Sequence, residues 1–114
     1  MANSFNKDGD AAAAANSAFE QLSVPEIPGP FPARVRGVDV YQERFDVETA
    51  IDYISPCDFS LRLKRNIALF ARLVAVAKIY KTRVILRGTV TLIEPQPDDS
   101  YCLTVTITRY RFLQ

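Results

Sequence analysis

The chain has no histidine at any of its 114 positions. That removes the side chain most often used for proton transfer near neutral pH, and a common zinc ligand. Cysteine is almost as scarce. Cys57 and Cys102 are the only two, and two thiols without histidine cannot complete a four-ligand zinc site. A reducing cytosol disfavours a disulfide between them, so both are expected as small buried apolar residues. The four glycines form no Walker-type phosphate loop, and no serine stands in a G-x-S-x-G elbow. An enzyme is therefore the function class with least support. No apolar run reaches 18 residues, and the N-terminus lacks the basic-then-apolar layout of a signal peptide. The expectation is a cytoplasmic protein without membrane insertion.

What the chain does contain is strand pattern. Residues 1–30 carry an alanine run, Ala11–Ala15, then a polar stretch, then Pro25, Pro28, Gly29 and Pro30. Prolines at that density deny regular hydrogen bonding, and so short an alanine helix is marginal in water. This segment is expected to be a disordered arm ending in a stiff hinge. From Phe31 to the C-terminus the period is two. Ala33–Val40 is rich in valine. In Glu43–Ile54, Phe45, Val47, Thr49, Ile51 and Tyr53 share one face, and Asp46, Glu48 and Asp52 the other. Ser55-Pro56 marks a turn. Cys57, Phe59, Leu61 and Leu63 then alternate against Asp58, Ser60, Arg62 and Lys64.

Residues 69–80 fit two periods. Leu69, Leu73, Val76, Ala77 and Tyr80 make a helical stripe, while Leu73, Ala75, Ala77 and Ile79 make a strand face. Val84–Ile93 reads as a strand with Val84, Leu86, Val90 and Leu92 on one side. Residues 94–100 read as a loop, and Tyr101–Phe112 as the last strand, with Leu103, Val105 and Ile107 facing in. Five or six strands with short connections imply a small all-β barrel or sandwich over 31–114. Closing such a sheet removes edges that would invite aggregation.

The net charge of +1 hides a division. Residues 1–58 carry four Lys/Arg and ten Asp/Glu, a balance of −6, and residues 59–114 carry ten against three, a balance of +7. Antiparallel folds pair distant segments, so the halves are expected to interleave and neutralise each other. The competing reading of a basic half is an anionic partner.

Arg34-Val35-Arg36 follows the prolines directly. Alternation would put both guanidinium groups on one face, about 7 Å apart along the strand, where a pair could clamp a phosphodiester. The plainer reading is two arginines on a solvent face. Taken with the Pro-rich lead-in, a strand ending near Ser55, an alternating strand after it and the closing Tyr110-Arg111-Phe112-Leu113, they resemble a PilZ domain over Phe31–Leu113. The resemblance implies a six-stranded antiparallel β-barrel behind an N-terminal arm. It also implies a receptor for cyclic di-GMP that uses R-x-x-x-R in the arm and D/N-x-S-x-x-G at a turn.

Both signatures depart from the family pattern. The arginines are spaced by one residue. Ser55 matches the serine of the second motif, with Tyr53 at the acid or amide and Asp58 at the glycine. A second register, Asp58-Phe59-Ser60, would put Leu63 at the glycine; the first is preferred because Ser55-Pro56 has turn chemistry. Tyr53 could stack on a guanine but not accept two hydrogen bonds from it. Asp58 would repel a phosphate by about 4 kcal/mol at ~4 Å and an effective dielectric near 20, roughly a thousandfold in affinity. The candidate ligand residues are therefore Arg34, Arg36, Tyr53, Ser55 and Asp58 on a damaged motif. The resemblance implies a regulatory module that binds cyclic di-GMP, or, with its motif decayed, a protein of a motility, secretion or signalling system. Lys78, Lys81, Arg83 and Arg87 with Tyr80, and Arg109 and Arg111 around Tyr110, raise single-stranded nucleic acid as the least favoured of the three. Snorkelling side chains on a solvated sheet face account for them more simply.

Overall fold

The computed structural model describes residues 26–113. Six strands follow one another: β1 (Ile27–Val38), β2 (Arg44–Ile54), β3 (Asp58–Leu63), β4 (Arg72–Ile79), β5 (Thr82–Pro95) and β6 (Tyr101–Leu113). All neighbours pair antiparallel in the order β1-β2-β3-β6-β5-β4, and β1 pairs back onto β4 to close a barrel. Of the all-β barrel or sandwich expected from the alternating pattern, the barrel is the architecture observed. No helix among the described residues is long and apolar enough to cross a membrane.

Alternation explains the core. Val35, Phe45, Ile51, Phe59, Leu61, Leu73, Ala75, Val84, Leu86, Val90, Leu103 and Val105 point inward and are buried. The ambiguous stretch 69–80 resolves as strand over Arg72–Ile79, with Leu73, Ala75 and Ala77 inside. Barrel closure decides between the two periods, because Ala33–Arg36 of β1 needs a partner and finds Val74–Ala77.

Several expectations shift. The arm-and-hinge reading of residues 1–30 lies outside the described residues for 1–25, and it is overturned for 27–30, which belong to β1. Proline is tolerated there because β4 pairs only with Ala33–Arg36, so among the described residues Ile27–Pro32 has a neighbour on the β2 side alone. The register slips between Pro28 and Phe31, and Gly29 lies so close to β2 that a Cβ would collide with the Ile51 carbonyl.

Bulges displace two alternation readings. An irregularity between Ile51 and Tyr53 turns Ile54 into the core and leaves Tyr53 half-buried. Another, between Val90 and Leu92, puts Leu92 outside and tucks Ile93 against the core. The cysteines are not the buried pair expected either. Cys57 is exposed on the β2–β3 turn, and Cys102 is half-buried with its sulfur 3.4 Å from Ser60 Oγ.

The charge halves do not interleave evenly. Asp46, Glu48 and Asp52 lie on the outer face of β2 and meet Arg34 of β1 and Arg62 of β3. Strands β4, β5 and β6 are contiguous in the sheet, so the basic half gathers on one wall.

Candidate binding site at the open end of the barrel

The five residues singled out in the sequence fall into two groups that the fold keeps apart. Arg34 and Arg36 stand on the outer face of β1, level with Glu48 and Asp46 of β2. Arg34 is engaged: its Nε donates to Asp46 Oδ1 at 2.6 Å and its Nη1 to Glu48 Oε2 at 3.4 Å. The Asp46 hydrogen bond, and then its charge, raise the Arg34 pKa further. Tyr53 stands five residues beyond Glu48 on β2, about 17 Å along the strand. The arginine pair and the Tyr53–Asp58 turn therefore do not converge on one ligand-sized volume.

The turn is closed on itself. Ser55 N donates to Asp58 O at 2.8 Å, and Ser55 Oγ accepts from the amides of Cys57 and Asp58, both at 3.1 Å. The same hydroxyl donates to Asp58 Oδ1 at 2.9 Å. Asp58 thus holds the serine in place, a structural use for both residues. Tyr53 lies half-buried beside them. Burial first, and the Asp58 carboxylate second, push its phenol above the usual range, while hydrogen bonding with Thr104 works the other way.

Beside this turn the barrel is open. Ile27, Ile54, Pro56, Ile79, Val84, Leu86 and Ile107 line an apolar cavity of about 580 Å³, with Tyr80, Tyr110 and Phe112 at its margin. Those three rings are 75%, 60% and 57% exposed, far more than a packed core would leave them. Tyr110 and Phe112 meet edge to face at 5.7 Å, and Tyr80 meets Phe31 at 6.0 Å.

Strand lengths produce this mouth. β3 has six residues and reaches only Thr106 of β6, whereas β6 has 13 and runs on beside β5. Tyr110 and Phe112 keep inward-facing positions past the point where an opposite strand ends. The sequence pattern made the last strand longer, Tyr101–Phe112 against Cys57–Lys64, but did not show that the two are neighbours.

Tyr110 also borders a second cavity of about 200 Å³ on the outside, with Ile85, Arg87, Arg109 and Arg111. At the other end of the barrel a cleft of about 800 Å³ includes Asp39, Arg62, Arg65 and Asp98; Asp39 pairs with Arg65 inside it, and Arg62 pairs with Asp52 beside it. Among the described residues no three of His, Cys, Asp or Glu come together as a metal site. No protein-family model matches the sequence, and no curated protein matches it significantly.

Proposed function

We propose that this chain is a PilZ-like regulatory barrel that docks a partner protein on its open apolar end, with its cyclic di-GMP site disarmed. The observation that carries this is the mouth itself: a preformed apolar cavity at a barrel end, margined by three exposed aromatic rings. Apolar concavities with aromatic rims favour binding over solvation. Two further facts weigh against the nucleotide. Arg34 is committed to Asp46 and Glu48, and Ser55 is committed to its own turn. The class of partner is the one the resemblance implies, a component of a motility, secretion or signalling system.

Two measurements test the reading. Calorimetry with cyclic di-GMP at about 100 µM should give no binding heat, since a thousandfold loss moves a micromolar ligand to millimolar. A saturable heat would instead make the chain a nucleotide receptor. A photo-crosslinking side chain at Tyr110 should trap one protein in cells, and the same group at Leu92, exposed near the other end, should not. Equal or absent trapping at the two positions would count against the mouth.

A further inference from the structure

We propose that the outer wall of β4, β5 and β6 binds single-stranded nucleic acid, with arginines tracking the phosphates and aromatic rings at the barrel end receiving bases. The inference rests on where the fold puts charge. No Asp or Glu occurs between Phe59 and Ile93 or after Ser100. Sheet order then sets β4, β5 and β6 side by side, with Glu94 at the far end of β5 as the one acid among their residues.

The register makes the arrangement explicit. Arg36, Val74, Arg87 and Arg109 form one row across β1, β4, β5 and β6. Two residues along, Arg111 stands opposite Ile85, and two further on Arg83 stands opposite Lys78. Rows two residues apart are about 7 Å apart, so the cations form a stripe rather than a point. The ion pairs among the described residues use Arg34, Arg62 and Arg65, and none of these lies on the stripe.

Arg87 and Arg109 are direct cross-strand partners. Like charges in that position are destabilising, and an external anion would relieve them. The 200 Å³ cavity between Arg87, Arg109 and Arg111 is bordered by Tyr110, whose ring is mostly exposed. Phe112 and Tyr80 stand with Tyr110 at the margin of the mouth, so the wall's arginines lead over the rim of the barrel to the rings. A basic track that runs onto stacking rings is the arrangement that suits a flexible single strand. A duplex is read by an element that enters a groove, and this convex wall presents none. An anionic membrane would need apolar side chains proud of the cations, whereas Val74, Val76 and Ile85 lie half-buried among them.

The test is fluorescence anisotropy of the full chain with a labelled oligo-dT of about 20 nucleotides at about 50 mM salt. Binding is expected, with log K falling against log salt at a slope of about −3 for roughly four phosphates neutralised. Arg87→Glu/Arg109→Glu should weaken it at least about tenfold and reduce the slope by about 1.4, while Arg87→Lys/Arg109→Lys should keep most of it. If the double reversal does not fold by circular dichroism, Arg83→Gln/Arg111→Gln carries the same expectation. No binding at low salt, a charge reversal without effect, equal affinity for a duplex, or binding to anionic vesicles alone would each overturn the proposal.

Discussion

The two ends of this barrel are built from the same six strands and treat their polar and apolar groups in opposite ways. At the far end, Asp39 is buried, and its Oδ1 accepts the amides of Tyr41 and Glu43 at 2.8 and 3.0 Å. Its other oxygen faces Arg65 at 3.6 Å, and the Arg65 guanidinium lies over the Phe45 ring. Ile67, from the connection between β3 and β4, plugs the core there with only 2% of its surface exposed. The mouth has no such plug, and its aromatic rings face solvent. One end spends its residues on the fold, and the other keeps them available for contact.

Substitutions should separate the ends by size of effect. The largest loss is expected from Ile67→Ala, about 2–5 kcal/mol, because it empties a closed core; urea unfolding would measure it. Asp39→Ala should cost about 1–3 kcal/mol in the same assay, since it strands two turn amides and a cation. At the mouth, Phe112→Ser should change stability by no more than about 0.5 kcal/mol while abolishing crosslinking from Tyr110. A large stability loss there would mean the ring belongs to the core and would erase the contrast.

The smallest effect should come from acid. In the turn from β5 to β6, Ser100 donates its hydroxyl and its amide to Asp98 Oδ1, and these bonds hold the Asp98 carboxyl below its ordinary pKa. A depressed carboxylate contributes stability above its unfolded pKa and loses it as pH falls through the folded value. A slight extra acid sensitivity is therefore expected in the native chain and not in Asp98→Asn, read as the difference between their melting temperatures from neutral pH down past the carboxylate range. Identical acid profiles would assign that turn no role in stability.

Much of the fold was legible because period two is a direct record of burial. Phe45 to Ile51 and Phe59 to Leu63 put their apolar residues inside, as the alternation requires. What escaped were single-residue insertions. A bulge leaves the composition of a strand unchanged and reverses every side chain after it, so Leu92 and Tyr53 moved although nothing near them signalled it. The prolines misled for a related reason: their effect depends on whether a neighbour strand needs the missing amide, and that is a property of the whole sheet. The candidate site was legible only in part. Arg34, Arg36, Ser55 and Asp58 were visible as residue types, but the partners of Arg34, Asp46 and Glu48, are set by register, and the Ser55–Asp58 contact by the closing of their turn. The mouth was foreshadowed by the unequal lengths of β3 and β6, whose adjacency the sequence did not show, and the basic wall by the charge division. Only strand order turned that division into a surface.

The incomplete closure between β1 and β4 bears on self-association. Only Ala33–Arg36 pairs with β4, which among the described residues leaves Ile27–Pro32 as the longest stretch of β1 without a neighbour on that side, where a second chain could add a strand. Pro28, Pro30 and Pro32 remove three of that stretch's six backbone donors, and the slipped register between Pro28 and Phe31 bends the rest away from a straight ladder. The prolines therefore act as a seal: they cost the strand hydrogen bonds that it has no internal use for, and they keep an otherwise continuous edge from templating aggregation.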